Sequence, residues 1–178
     1  MIIEYEIVSP KTQTKMNDCW YACIQMLRST IMGVKSKPQG DVTLGHRDKR
    51  VVGRKLSFGD DNGKHALLEN QLVDVSGLVN FNDLEGFGDV LLNHGPLIAC
   101  GKFAFFNKFG HCIVISGCNT QNGMVPVYDP GWGEGRQTKP WDYIGLHCER
   151  RTDYPQMPRK GSFVANRDWP DRDLLVDL

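Results

Sequence analysis

The sequence contains no long hydrophobic run. No stretch approaches the roughly 18 apolar residues of a membrane-spanning helix, which predicts a soluble chain with no membrane partner. Charge of one sign is not in excess either. The 21 basic residues balance the 21 acidic ones, so no whole-chain field draws the protein to nucleic acid. The opening Met-Ile-Ile-Glu-Tyr-Glu-Ile-Val lacks the basic start and unbroken apolar core of a signal peptide. Repeats and low-complexity segments are absent, and 178 residues fit a single domain, 1–178. Paired Cys-x2-Cys knuckles are missing too. The six cysteines (Cys19, Cys23, Cys100, Cys112, Cys118, Cys148) therefore read as reduced thiols rather than as a disulfide framework or a structural zinc site. The loop Pro130-Gly131-Trp132-Gly133-Glu134-Gly135-Arg136 is rich in glycine, but no Lys-Ser/Thr and helix follow, which excludes a phosphate cradle. No metal and no cofactor is expected.

What is present changes period along the chain. Residues Ile2 to Val8 alternate as a short strand. Trp20, Ile24 and Leu27 recur at spacings of four and three, which predicts a helix from Cys19 to about Ile31, closed by Gly33. The segment 34–64 carries eight Lys or Arg against four Asp and reads as a long basic loop region, a candidate for substrate recognition. A short helix is expected over His65–Val73, and a firmer one capped by Asn82, running to Asn93 and ended by Gly95-Pro96. Short apolar runs follow at Leu97–Cys100 and Ala104–Phe106. His111–Ser116, dominated by β-branched residues, and Val125–Asp129 then form an antiparallel hairpin about a turn at Asn119–Gly123. Trp141–Leu146 fits helix or strand, and 150–178 reads as a polar tail. Helices first and strands later predict an α+β fold, its N-terminal helix packed on a C-terminal antiparallel sheet.

Cys19 stands at the start of that first helix, where unpaired N–H groups and the helix dipole favour a thiolate. An isolated cysteine in an apolar stretch is ordinarily a small buried hydrophobe, the reading that fits Cys23 one turn later. Cys19 is distinguished by what the chain supplies elsewhere. His111 opens the best strand behind Gly110, which leaves room for a substrate backbone. Asp129 ends the next strand, where its carboxylate would accept the His111 Nδ1 proton and leave Nε2 for the thiol. Gln13, six residues before Cys19, offers an amide N–H2 that would join the Cys19 backbone N–H in an oxyanion hole.

Gln13, the Cys19-Trp20 pair six residues on, Gly110-His111 and Asp129 together resemble the papain-like cysteine proteases. The likeness covers about 10–31 and 97–132, and Asp as the orienting residue is similar to small bacterial members: effector proteases delivered into host or rival cells, and the peptidase domains of bacteriocin exporters. The Cys-Gly-Ser-Cys-Trp run is replaced by Met16-Asn17-Asp18-Cys19-Trp20. The resemblance implies a papain-like fold and a thiol protease acting on a protein substrate, with Cys19, His111 and Asp129 catalytic and Gln13 in the oxyanion hole. Trp20, Gly110 and Trp132 would line the substrate cleft, Trp132 also shielding the bond between the histidine and its orienting residue. The same triad serves a deamidase, a transglutaminase-like enzyme or a peptidoglycan amidase. A reading of another class is a zinc module built on Cys19 and Cys23 with His111, Cys112 or Cys118, or a binding module with an inactive site. With neither leader nor inhibitory pro-segment, such a protease is expected to act as a toxin or secreted effector in the target cell's cytoplasm. A cognate inhibitor or immunity protein would restrain it.

Overall fold

The computed structural model describes residues 1–8, 10–13, 18–32, 64, 67–68, 70–103, 110–131, 135–149 and 162–166. The basic region 34–63, the run 104–106, Trp132 and most of the tail lie outside the described residues. The fold is α+β. Strands β1 (Ile2–Glu4), β2 (Leu72–Asp74), β3 (Leu97–Gly101), β4 (His111–Ile115), β5 (Gly117–Asn119), β6 (Met124–Asp129), β7 (Gly135–Pro140) and β8 (Ser162–Asn166) alternate with helices α1 (Cys19–Met32), α2 (Leu84–His94) and α3 (Trp141–Glu149). The eight strands form one sheet in the order β1-β5-β6-β4-β3-β8-β2, with β7 along the other side of β6. Every pairing is antiparallel.

Residue alternation divides the core in two. From β3, β4 and β8, Leu97, Ala99, Ile113, Ile115, Phe163 and Ala165 join Phe87 and Leu91 of α2 and Trp141 and Ile144 of α3. Their neighbours Ile98, Cys100, Cys112, Val114 and Val164 face the other way and meet Cys19, Trp20, Cys23, Ile24 and Leu27 of α1. Helices thus cover both faces of the sheet, and the strands at its centre are buried at every position described. The α1 stripe recurs at the three- and four-residue spacing that sets one helical face against a partner.

Several expectations need correction. Leu72 and Val73 belong to a strand, not a helix, because β8 offers Leu72↔Asn166 and Val73↔Ala165 as ladder partners. The cap of α2 is Asp83 rather than Asn82: its Oδ1 accepts the Gly86 N–H at 2.8 Å, while the Asn82 N–H is bonded to the Asn80 side chain. The tail is not uniformly polar coil, since Ser162–Asn166 enters the middle of the sheet between β3 and β2. Trp141 starts a helix, its Nε1–H donating to the Phe81 carbonyl at 2.8 Å. Among the described residues no helix is long and apolar enough to cross a membrane.

Candidate active site

The site forms where the first turn of α1 meets the end of β4. Gly110 has a φ of 82°, a left-handed conformation that a side chain would strain, and it delivers His111 onto the first position of the strand. The β4–β6 register runs Val114↔Tyr128 and Ile115↔Val127, so Asp129 falls opposite Ile113. His111 is two residues further along, diagonal to Asp129 on the same side, within reach of a long side chain. The imidazole closes the gap: His111 Nε2 lies 2.6 Å from Asp129 Oδ1. The same oxygen accepts the Gly131 N–H at 2.7 Å, which holds the carboxylate in place.

The Asp129 contact reverses the expected use of the ring. Nε2 is taken by the carboxylate, so Nδ1 is the nitrogen left for the thiol. The reason is the diagonal register, which brings Asp129 to the ring's far end rather than to the nitrogen nearest the backbone. Cys19 completes the set: it shares the α1 core with Cys112, and Cys112 and the preceding His111 both act on its thiol. Cys19 is the first residue of α1, as expected, and is 7% exposed; His111 is 4% exposed.

Electrostatics differ from the simple helix-terminus picture. The Cys112 hydrogen bond is the largest influence on Cys19, burial the next, and together they outweigh His111 and hold the thiol well above its ordinary range. Burial is likewise the largest influence on His111 and acts downward. The hydrogen bond to Asp129 and its charge, with the neighbouring Cys19 side chain, overcome it and raise His111 from 6.5 to about 9. Burial would raise Asp129, but the His111 bond and charge, the Gly131 N–H and Lys139 lower it. In Asp129→Asn the downward pull of burial loses its main opponent. His111, titrating near 9 in the wild type, is then expected to titrate toward or below 6.5. Imidazole carbon shifts followed against pH read both values, and an unmoved titration would mean that Asp129 does not hold the ring charged.

Gln13 is joined to this site through the backbone: its N–H donates to the Pro130 carbonyl at 2.7 Å, next to Asp129. Its side-chain Oε1 is buried without a hydrogen-bond partner among the described residues. Such an atom carries a desolvation cost of about 1–3 kcal/mol, which a purely structural glutamine would ordinarily avoid. Trp20 does not line a cleft. At 1% exposure it belongs to the core beneath α1, edge-on to Tyr21 at 5.8 Å, because the helical period turns it onto the sheet. Trp132 lies outside the described residues.

Of the residues named for a zinc module, only Cys118 lies apart from the rest. Cys118 sits in the α2–α3 core while Cys19, Cys23 and Cys112 sit in the α1 core, and among the described residues no three His, Cys, Asp or Glu are placed to hold a metal ion. Sequence reasoning missed Cys112 as a member of the site. The signal was available, since it directly follows His111 in a strand end that the nucleophile must approach. Compared with protein-family models and with curated proteins, the chain has no match. The site brings a thiol beside an imidazole that is bonded to a carboxylate.

Proposed function

We propose that the chain is a papain-like cysteine protease that hydrolyses peptide bonds in a protein substrate. The observation that carries this reading is the His111–Asp129 bond of 2.6 Å at the strand end to which the first residue of α1, Cys19, is brought. Cys19 Sγ attacks the amide carbonyl carbon and its proton passes to His111 Nδ1. The Gln13 amide and the Cys19 backbone N–H stabilise the oxyanion. Collapse breaks the C–N bond as His111 returns the proton to the leaving amine, and water activated by His111 then hydrolyses the thioester. His111 must be neutral to accept the first proton, so kcat/KM is expected to climb as pH rises toward the His111 value of about 9.

Incubation with a candidate lysate tests the substrate class. New N-termini that require Cys19 are the expected result, whereas ammonia release without backbone cleavage would assign the site to a deamidase. Gln13→Ala is expected to lower kcat by about 10^2- to 10^3-fold and leave residual turnover, as for loss of one oxyanion donor. The proposal extends to a bacterial effector or toxin acting in the target cell's cytoplasm and restrained by a cognate inhibitor or immunity protein. Growth of a producing strain with wild type or Cys19→Ala reads this: toxicity of the wild type alone supports it, and harmless active protein refutes it.

A further inference from the structure

Cys19 is not the only thiol at the strand end. Cys100 and Cys112 are direct partners in the β3–β4 ladder, and their sulfurs lie 2.6 Å apart. Cys112 in turn packs in the same buried core as Cys19 and is the neighbour that acts on it most strongly. The three sulfurs thus form a continuous series from the nucleophile into the sheet, all within the α1 core, with Cys100 4% and Cys112 7% exposed. Hydrolysis uses one of them. The ladder holds the other two face to face, so neither strand has to move for their sulfurs to bond. None of the three is held in a disulfide.

We propose that Cys19, Cys112 and Cys100 form a thiol relay that takes an oxidation by hydroperoxide away from the nucleophile. Cys19, deprotonated by His111, attacks the outer oxygen of the hydroperoxide. The S–O bond forms, the O–O bond breaks, and the peroxide is reduced to an alcohol, or to water from hydrogen peroxide, as the sulfur becomes a sulfenic acid. Cys112, as thiolate, attacks that sulfur; the S–S bond forms and hydroxide leaves, taking up a proton as water. Cys100 then attacks the Cys112 sulfur, giving its own proton to His111, which has passed the first one to the alcohol; the Cys100–Cys112 bond forms and Cys19 leaves as a thiolate that takes the Cys100 proton from His111. Two electrons have passed from the sheet pair to the peroxide, and the nucleophile is restored. An external dithiol returns the pair to thiols.

The proposal deepens the reading of Cys19 as nucleophile but needs no substrate to test. Reduced protein is treated with hydrogen peroxide, the remaining thiols are alkylated, and bridges are mapped by mass spectrometry without reduction. The wild type is expected to give a Cys100–Cys112 bridge with Cys19 still alkylatable. Cys100→Ser should stop the relay at Cys19–Cys112. Cys112→Ser should lose both bridges and carry Cys19 on to sulfinic or sulfonic acid. Equal over-oxidation of Cys19 in wild type and Cys112→Ser would overturn the relay, as would a wild type with no bridge through Cys112. Peptide cleavage is scored separately, so bridges without proteolysis would refute the protease reading alone.

Discussion

Cys19→Ala and His111→Ala are each expected to lower kcat/KM by about 10^4-fold or more, since in the proposed mechanism they remove the nucleophile and its base. Residual activity over the uncatalysed rate would come from binding and the oxyanion donors alone. The double variant should lose little beyond either single one, because the two groups act as a unit. Circular dichroism separates this from unfolding. Cys19→Ala removes one sulfur at the edge of the α1 core and should keep its melting temperature nearly intact. His111→Ala strands Asp129 without its partner at 2.6 Å and should melt earlier while remaining folded at room temperature.

Asp129→Ala carries the second large effect, and its size should depend on pH. The carboxylate orients the ring without transferring the proton, so kcat/KM is expected to fall by about 10^2- to 10^3-fold, less than in His111→Ala. Stability changes with it. His111 is raised in the fold, so its contribution is full below the unfolded value of 6.5 and is lost as pH rises through about 9. Asp129 is lowered, so its contribution is present above the unfolded value of 3.8 and is lost as pH falls through its folded value. Both are complete only between those unfolded values. The loss in Asp129→Ala is expected to reach about 1.5–3 kcal/mol there, the worth of a hydrogen bond to a charged group. For a chain of this size that is roughly 3–12 °C in melting temperature. The gap should narrow by about pH 10, past the His111 titration. A gap that stays constant from acid to alkaline pH would mean that the pair is not ionised in the fold.

Much of this arrangement is legible in the sequence because local and global signals agree. Trp20, Ile24 and Leu27 state the α1 face directly, and the β-branched run at Ile113–Ile115 states the centre of the sheet. His111 and Asp129 could be paired because each sits at the end of such a run. Other elements carried no comparable signal. In β7, Gly135–Pro140, no position is fully buried and the residues are polar, so only its six-residue ladder with β6 makes it a strand. In β8 the buried run is Phe163-Val164-Ala165, too short to stand out from its polar surroundings until β3 and β2 supply partners on both sides. The ring nitrogen used by Asp129 depends on a diagonal register, which periodicity does not contain. The upward push on the Cys19 thiol comes first from Cys112, whose approach is set by how α1 docks rather than by α1 itself.

Competitive alkylation of the reduced protein, mapped to each cysteine in the wild type and His111→Ala, tests most directly whether Cys19 is an activated nucleophile. Cys19 and Cys112 are equally exposed at 7%, and the other four cysteines are less so, which makes a rate difference between these two a reading of chemistry rather than of access. At alkaline pH, where His111 is neutral and can take its proton, Cys19 is expected to react first in the wild type and to lose that lead in His111→Ala. A Cys112 that reacts as fast as Cys19, or a Cys19 rate indifferent to His111, would contradict the account.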